Sequence, residues 1–111
     1  MRDRASSRQK RDGAAELEAI DRVFAALAHG ARRHILLVLH ARGDRVSSKE
    51  IDERFAHSWP TTRGHLRKLE AAKLIRIEAI GRNRFYTLDL GMLRGVAGGW
   101  LRHFDRAARH D

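Results

Sequence analysis

The stretch "SWPTTRGHLRKLEAAKLI", residues 58–75, decides how the rest of the chain is read. Trp59, Thr62, Leu66, Leu69 and Lys73 fall on one side of a helix at spacings of three and four, with Lys73 laying its stem along the apolar surface. Pro60 and Gly64 look like the wrong residues for such a helix. Pro60, however, sits in the first turn behind Ser58 as N-cap, where its missing N–H is one of the donors that a helix start leaves unpaired anyway. The opposite side carries Pro60, Gly64, Arg67, Lys68 and Ala71, flanked by Thr61 and Arg63. It is small near its start and basic further on.

After Leu74 the period changes from that of a helix to that of a strand. Ile75, Ile77 and Ala79 alternate with Arg76, Glu78 and Ile80, a turn follows at Gly81-Arg82-Asn83, and Phe85-Tyr86-Thr87-Leu88 returns. This is a β-hairpin, with Asn83 assigned to the turn because asparagine tolerates positive φ. Upstream, "SSKEIDERF" predicts a short helix. Ser47 is its N-cap, Glu50 completes a capping box, and Ile51 and Phe55 lie on one face. Two short helices joined tightly around residues 56–58 and followed by a hairpin are a helix-turn-helix with a wing.

Further helices frame this unit. Leu17, Ile20, Val23 or Phe24 and Leu27 predict one that starts at Ala14 and stops at His29-Gly30. Ile35, Leu36, Val38 and Leu39 predict a second, closed by the turn at 41–45. Leu93, Val96, Trp100, Leu101 and Phe104 predict a last one, interrupted by Gly95, Gly98 and Gly99. The expected fold is mainly α with a β-hairpin wing: five helices and two strands in one domain over 14–111. Residues 1–13, with five cations, two acids and no apolar period, are expected as a disordered basic arm.

With 111 residues, 23 Lys and Arg against 14 Asp and Glu, the chain carries a formal charge of +9. That excess favours a polyanionic partner, nucleic acid first and an anionic membrane surface second. It concentrates between Trp59 and Arg84, where seven cations face two acids, 7 − 2 = +5 over 26 residues. No cysteine is present, which removes disulfides, thiolate metal sites and thiol nucleophiles. The first residues lack the apolar core of a signal peptide and no run is apolar enough to span a bilayer, so a cytoplasmic location without membrane contact is expected. There is no Gly-rich phosphate loop and no convergence of two carboxylates with a histidine, so neither an enzyme nor a cofactor is expected.

Taken together, "FAALAHGARRHILLVL", "SSKEIDERF", "TTRGHLRKLEAAKLI" and the wing "GRNRFYTL" resemble the ArsR-type winged-helix repressors of bacteria over roughly residues 20–105. The resemblance implies a symmetric dimer whose first and last helices pair between subunits. Each subunit would place its recognition helix in a major groove of double-stranded DNA and its wing on the flanking backbone. The chain departs from the family in three places. Its third helix lacks the cysteine cluster of metal-sensing members. His103, Asp105 and His110 do not reproduce the spacing of the zinc-binding ones. His29-Gly30 stands where Asp-Pro is common.

On this reading Ser58, Pro60, Thr61, Arg63, Gly64, Arg67, Lys68, Arg82, Asn83 and Arg84 bind DNA. Thr61 and Arg63 read bases from the helix start, and Arg67 reads a base or holds a phosphate. Gly64 lets the backbone approach the groove floor, and Arg82 and Arg84 reach phosphates or the minor groove. Leu17, Ile20, Phe24, Leu93, Val96, Trp100, Leu101 and Phe104 form the dimer interface. Trp59 anchors the helix, Tyr86 belongs to the core, and His65 packs or hydrogen-bonds locally. No metal site is assigned; the candidates are His103 and His110, seven apart on one face of the last helix, two such pairs across a dimer being able to hold Zn²⁺ or Ni²⁺. The expected function is a dimeric, sequence-specific repressor on a palindromic operator, with its inducer unspecified. The alternative is a winged-helix protein adaptor or a non-specific DNA binder.

Overall fold

In the computed structural model, residues 2–55 and 59–105 are described, with side chains from residue 13 onward except that of Trp59. Helix α1 (Arg2–Leu27) leads into α2 (Gly30–Arg42), a two-residue strand β1 (Val46–Ser47) and α3 (Ser48–Arg54). Then come α4 (Trp59–Ala71) and the hairpin β2 (Ile75–Ile80) and β3 (Asn83–Leu88). The last helix begins as α5 (Leu90–Leu93) and continues through a π-helical turn (Arg94–Gly98), an α segment (Gly99–Leu101) and a 3₁₀ turn (Arg102–Phe104). No described helix is long and apolar enough to cross a membrane.

Two boundaries differ from expectation. Helix α1 starts at Arg2 instead of Ala14, so the stretch expected as an arm has helical backbone. Ala, Gln, Arg and Lys are good helix formers, and with no proline before Gly13 nothing in the sequence stops the helix from growing backwards. The sheet also has three strands, ordered β1-β3-β2 and antiparallel throughout, with Val46 opposite Tyr86 and Ser47 opposite Phe85. A two-residue strand offers no period to detect.

The turns follow local chemistry. Ser47 Oγ accepts the Glu50 N–H at 3.2 Å and caps α3, but Glu50 does not reach back to close the capping box. Its carboxylate pairs with Arg42 at 2.8 Å and Arg54 at 3.6 Å instead, tying α3 to the end of α2. Helix α2 is capped by His29, whose Nδ1 accepts the Ala31 N–H, so the imidazole serves as the N-cap acceptor. The C-terminus of α1 is closed from outside. Arg32 donates to the carbonyls of Ala25 and Ala26, and Arg33 donates to Leu27 O at 2.7 Å.

The end of α4 corrects the placement of Lys73. The residue is exposed beyond the helix, with φ at 62°, in a turn where Leu74 N–H reaches Leu69 O and Lys73 N–H reaches Glu70 O. This is a Schellman ending with lysine at the left-handed position that glycine usually fills. The hairpin turn corrects a second assignment. Gly81 takes the positive φ (61°), while Asn83 opens β3 in paired extended backbone opposite Ile80. Asparagine's tolerance of that conformation is not what makes the turn.

The core lies between α1, α2, α3, α4 and one face of the sheet, around Val23, Ile35, Leu39, Ile51, Leu66, Leu69, Leu74 and Tyr86, all at most 2% exposed. Each fully buried aliphatic side chain stabilises by about 1.5–3 kcal/mol. A glycine in a helix interior costs about 1 kcal/mol relative to alanine. Leu66 and Leu69 alone therefore outweigh Gly64, which explains how α4 forms around a poor helix residue.

Candidate nucleic-acid interface

Helix α4 sorts its residues as the spacing requires. Thr62, His65, Leu66 and Leu69 are buried, whereas Pro60, Thr61, Arg67, Lys68 and Ala71 are exposed and Arg63 and Gly64 half-buried. Around Gly64 there is open space: a Cβ built there would meet nothing within 4 Å. Ser58 lies outside the described residues. The Thr62 hydroxyl is buried without a hydrogen-bond partner among the described residues.

The wing joins this helix through Tyr86. Burial pushes the Tyr86 phenol above its ordinary pKa, and Arg84, which hydrogen-bonds it, and Arg63 pull back. One phenol thus has a wing guanidinium and a recognition-helix guanidinium in its field, with the Glu70 carboxylate acting in the opposite sense, so Arg63 of α4 and Arg84 of β3 act on the same buried residue. Arg82 is exposed at the tip of the wing. On the other face of the hairpin Arg45 stacks over Phe85 at 4.9 Å and approaches Glu78 at 3.8 Å, so this cation and this acid engage each other.

His65 is buried at 9% exposure, its Nδ1 3.3 Å from Arg32 Nη1 and its ring 4.4 Å from that of His29. The recognition helix is thereby pinned to the α1–α2 junction by polar groups that come from three helices. The role given to His65 agrees with this. The part played by Arg32 was not legible, because 33 residues separate it from His65 and no period links them.

The residues expected at the dimer interface form a second surface. Leu17 is 64% exposed, Trp100 50%, Leu101 57% and Phe104 63%, while Ile20, Phe24, Leu93 and Val96 are half-buried. Phe24, Trp100 and Phe104 form an edge-to-face row, with centroids 5.5 and 5.0 Å apart. Beside it α1 and the last helix enclose a groove of about 450 Å³ with Ile20, Val96, Gly95 and Gly99 in its lining. His103 turns its Nδ1 to Trp100 O at 3.1 Å, and His110 lies outside the described residues. Among the described residues no three His, Asp or Glu side chains gather as a metal site would need.

A family model described as a helix-turn-helix domain matches residues 27–78, from the end of α1 into β2. No curated protein matches. Among solved structures, one of an ArsR family transcriptional regulator is 26% identical, covers 85% of this chain and 94% of its own, and superposes with a TM-score of 0.73. An ArsR-like transcriptional regulator from Rhodococcus sp. RHA1 is 25% identical, with 86% and 89% covered and a TM-score of 0.71. The homodimeric winged helix-turn-helix DNA-binding domain of a possible ArsR-family regulator from Mycobacterium bovis is 23% identical. With 88% and 90% covered and a TM-score of 0.67, it shares the fold. The fold is that of DNA-binding transcriptional regulators.

Proposed function

We propose that this chain, which is an ArsR-type winged helix-turn-helix transcriptional regulator, acts as a homodimer that represses by occupying a palindromic promoter operator in the cytoplasm. One observation carries the reading. The exposed side of α4 presents Arg67 and Lys68 and the wing presents Arg82 and Arg84, with Arg63 of α4 and Arg84 of β3 both acting on the buried Tyr86. Cations so placed neutralise phosphates and give binding a steep salt dependence. Thr61, Arg63 and Arg67 supply base contacts from the first half of α4, with Pro60 and Gly64 leaving room for the groove. Lys68, Arg82 and Arg84 hold phosphates, and Ser58 and Asn83 complete the contact set.

Dimerisation places two such surfaces side by side. The exposed row of Phe24, Trp100 and Phe104, with Leu17 and Leu101 beside it, is the surface that a second copy would cover. Residues 14–111 act as the DNA-binding and dimerisation unit. Selection from a random duplex pool at about 150 mM salt, a near-physiological ionic strength, tests the reading, with EDTA and zinc arms in parallel. The expected result is a two-fold-symmetric motif that is the same in both arms. Binding without any enriched motif would overturn sequence-specific recognition.

A further inference from the structure

The flank of α4 that turns away from the wing carries a cationic feature of its own. There α1, α2 and α4 meet around a cleft of about 190 Å³, lined by Arg22 from α1, Arg32 from α2 and Lys68 from α4. The rest of its lining is alanine from α1 and from the end of α4 into the turn that follows, and no acid contributes. Among the described residues none of the three cations is ion-paired.

Arg32 is held in place before anything binds. Its Nε donates to Ala26 O at 2.9 Å, its Nη2 to Ala25 O at 3.3 Å, and its Nη1 lies 3.3 Å from His65 Nδ1. A guanidinium has five N–H donors, so two remain for a ligand after these three. A tethered cation loses little rotamer freedom on binding, and freezing side chains is a main cost of association. Arg22 and Lys68 are exposed and reach the same cleft. Three positive charges around one small recess repel each other until an anion enters, and the short alanine walls leave space for a tetrahedral one.

We infer that this cleft binds a phosphate group, and that the group is a backbone phosphate of DNA lying along α4. The inference rests on the DNA-binding reading and extends it. With the wing on one flank of α4 and the cleft on the other, the recognition helix would be held between phosphates on both sides. Arg22, an α1 residue outside the helix-turn-helix, thereby becomes a DNA-positioning residue, and Arg32 becomes both the strap of the α1–α2 junction and part of the anion site.

The experiment uses the full chain and a fluorescently labelled duplex of mixed sequence, with affinity measured across a salt series. Arg22→Gln and Arg22→Glu are compared with Arg82→Gln at the wing tip, after melting curves establish that all are folded. Losing one phosphate contact lowers the slope of log K against log salt by about 0.9. Arg22→Gln is expected to show that drop with a several-fold loss of affinity, and Arg22→Glu a larger loss. A shallower slope for Arg82→Gln with none for either Arg22 variant would overturn the backbone assignment while leaving DNA binding by the wing intact.

A calorimetric titration with inorganic pyrophosphate separates the two sources of phosphate. If wild type binds pyrophosphate, Arg22→Glu does not, and the duplex slopes are equal, the backbone assignment fails and the cleft serves a free phosphate compound. If neither pyrophosphate nor duplex distinguishes Arg22→Glu from wild type, the cleft is no phosphate site. If Arg82→Gln is also silent toward the duplex, the DNA reading itself fails, and the pyrophosphate titration alone decides the cleft.

Discussion

Helix α4 and the C-terminal helix are both amphipathic, yet the chain finishes one and leaves the other open. On α4 the apolar side is consumed by the protein itself, with Leu66 and Leu69 at most 1% exposed, and what faces outward is small or cationic. On the last helix Trp100, Leu101 and Phe104 are each at least half exposed. A cationic surface remains soluble while it waits for a polyanion, and its affinity is adjustable by salt. An exposed aromatic row has no such solvent and is stable only when covered. The first surface suits a reversible ligand such as DNA, and the second suits a permanent companion such as another copy.

The comparison breaks first at the aromatic row. Trp100→Asp places a charge at the centre of the surface to be covered, where burying an unpaired charge costs several kcal/mol. Sedimentation equilibrium is expected to show the dimer dissociation constant raised at least ~100-fold with the fold retained, since Trp100 is half exposed in the single chain. An unchanged dimer would move the interface elsewhere. On α4 the corresponding change is Arg67→Ala. A lost bidentate base contact costs about 1–3 kcal/mol and relaxes the preference at one position. A lost phosphate contact weakens all sequences alike and lowers the salt slope. Repeating the duplex selection with the variant decides which contact Arg67 makes.

How legible these surfaces were depended on whether a local pattern existed. Helix α4, the hairpin and their exposed cations follow from periods of 3.6 and 2 and from Pro60, so the sequence alone reaches the helix-turn-helix and wing. The start of α1 escaped because helix propensity in a polar stretch leaves no apolar stripe. Strand β1 escaped because it exists only by pairing with β3, 38 residues on at Ser47–Phe85 (85 − 47 = 38) and 40 at Val46–Tyr86 (86 − 46 = 40). The cleft of Arg22, Arg32 and Lys68 escaped for the same reason: three helices must pack before those side chains are neighbours. The apolar spacing misplaces Lys73 because α4 ends at Ala71, two residues earlier, and a left-handed turn there reverses the chain's direction.

Two substitutions sharpen the reading of α4 at lower cost. Gly64→Ala is expected to raise stability by about 1 kcal/mol, since alanine is the better helix residue and its Cβ meets nothing within 4 Å. If the glycine serves close approach to the groove, the same variant binds duplex more weakly although it is more stable. Equal or tighter binding would assign Gly64 no part in recognition. Lys73→Gly relieves a left-handed non-glycine residue at the helix end and is expected to add up to about 1 kcal/mol, read from urea melts. Because Lys73 is exposed beyond the helix, any accompanying loss in the salt slope would reveal a phosphate contact that its position does not suggest.

The smallest effect at neutral pH is expected from Tyr86→Phe, which tests the joint between the two DNA-facing elements. Tyr86 is 1% exposed, and burial raises its pKa in the folded state above the ordinary value of about 10. The sign follows. The folded state favours the neutral phenol, so this contribution to stability is complete below about pH 10 and falls as the pH climbs through the raised folded-state value. It is the chain's only tyrosine, so phenolate absorbance reports one site. The titration is expected above the ordinary value and coupled to unfolding. Tyr86→Phe should remove that share of the alkaline loss of stability, while at pH 7 it gives up only the Arg84 hydrogen bond, worth about 1 kcal/mol. Duplex binding then separates two roles for the phenol. If it only fills the core, affinity is unchanged. If it sets Arg84 against Arg63 so that wing and helix meet DNA together, affinity falls while the fold holds, and the wing's share of the salt slope falls with it.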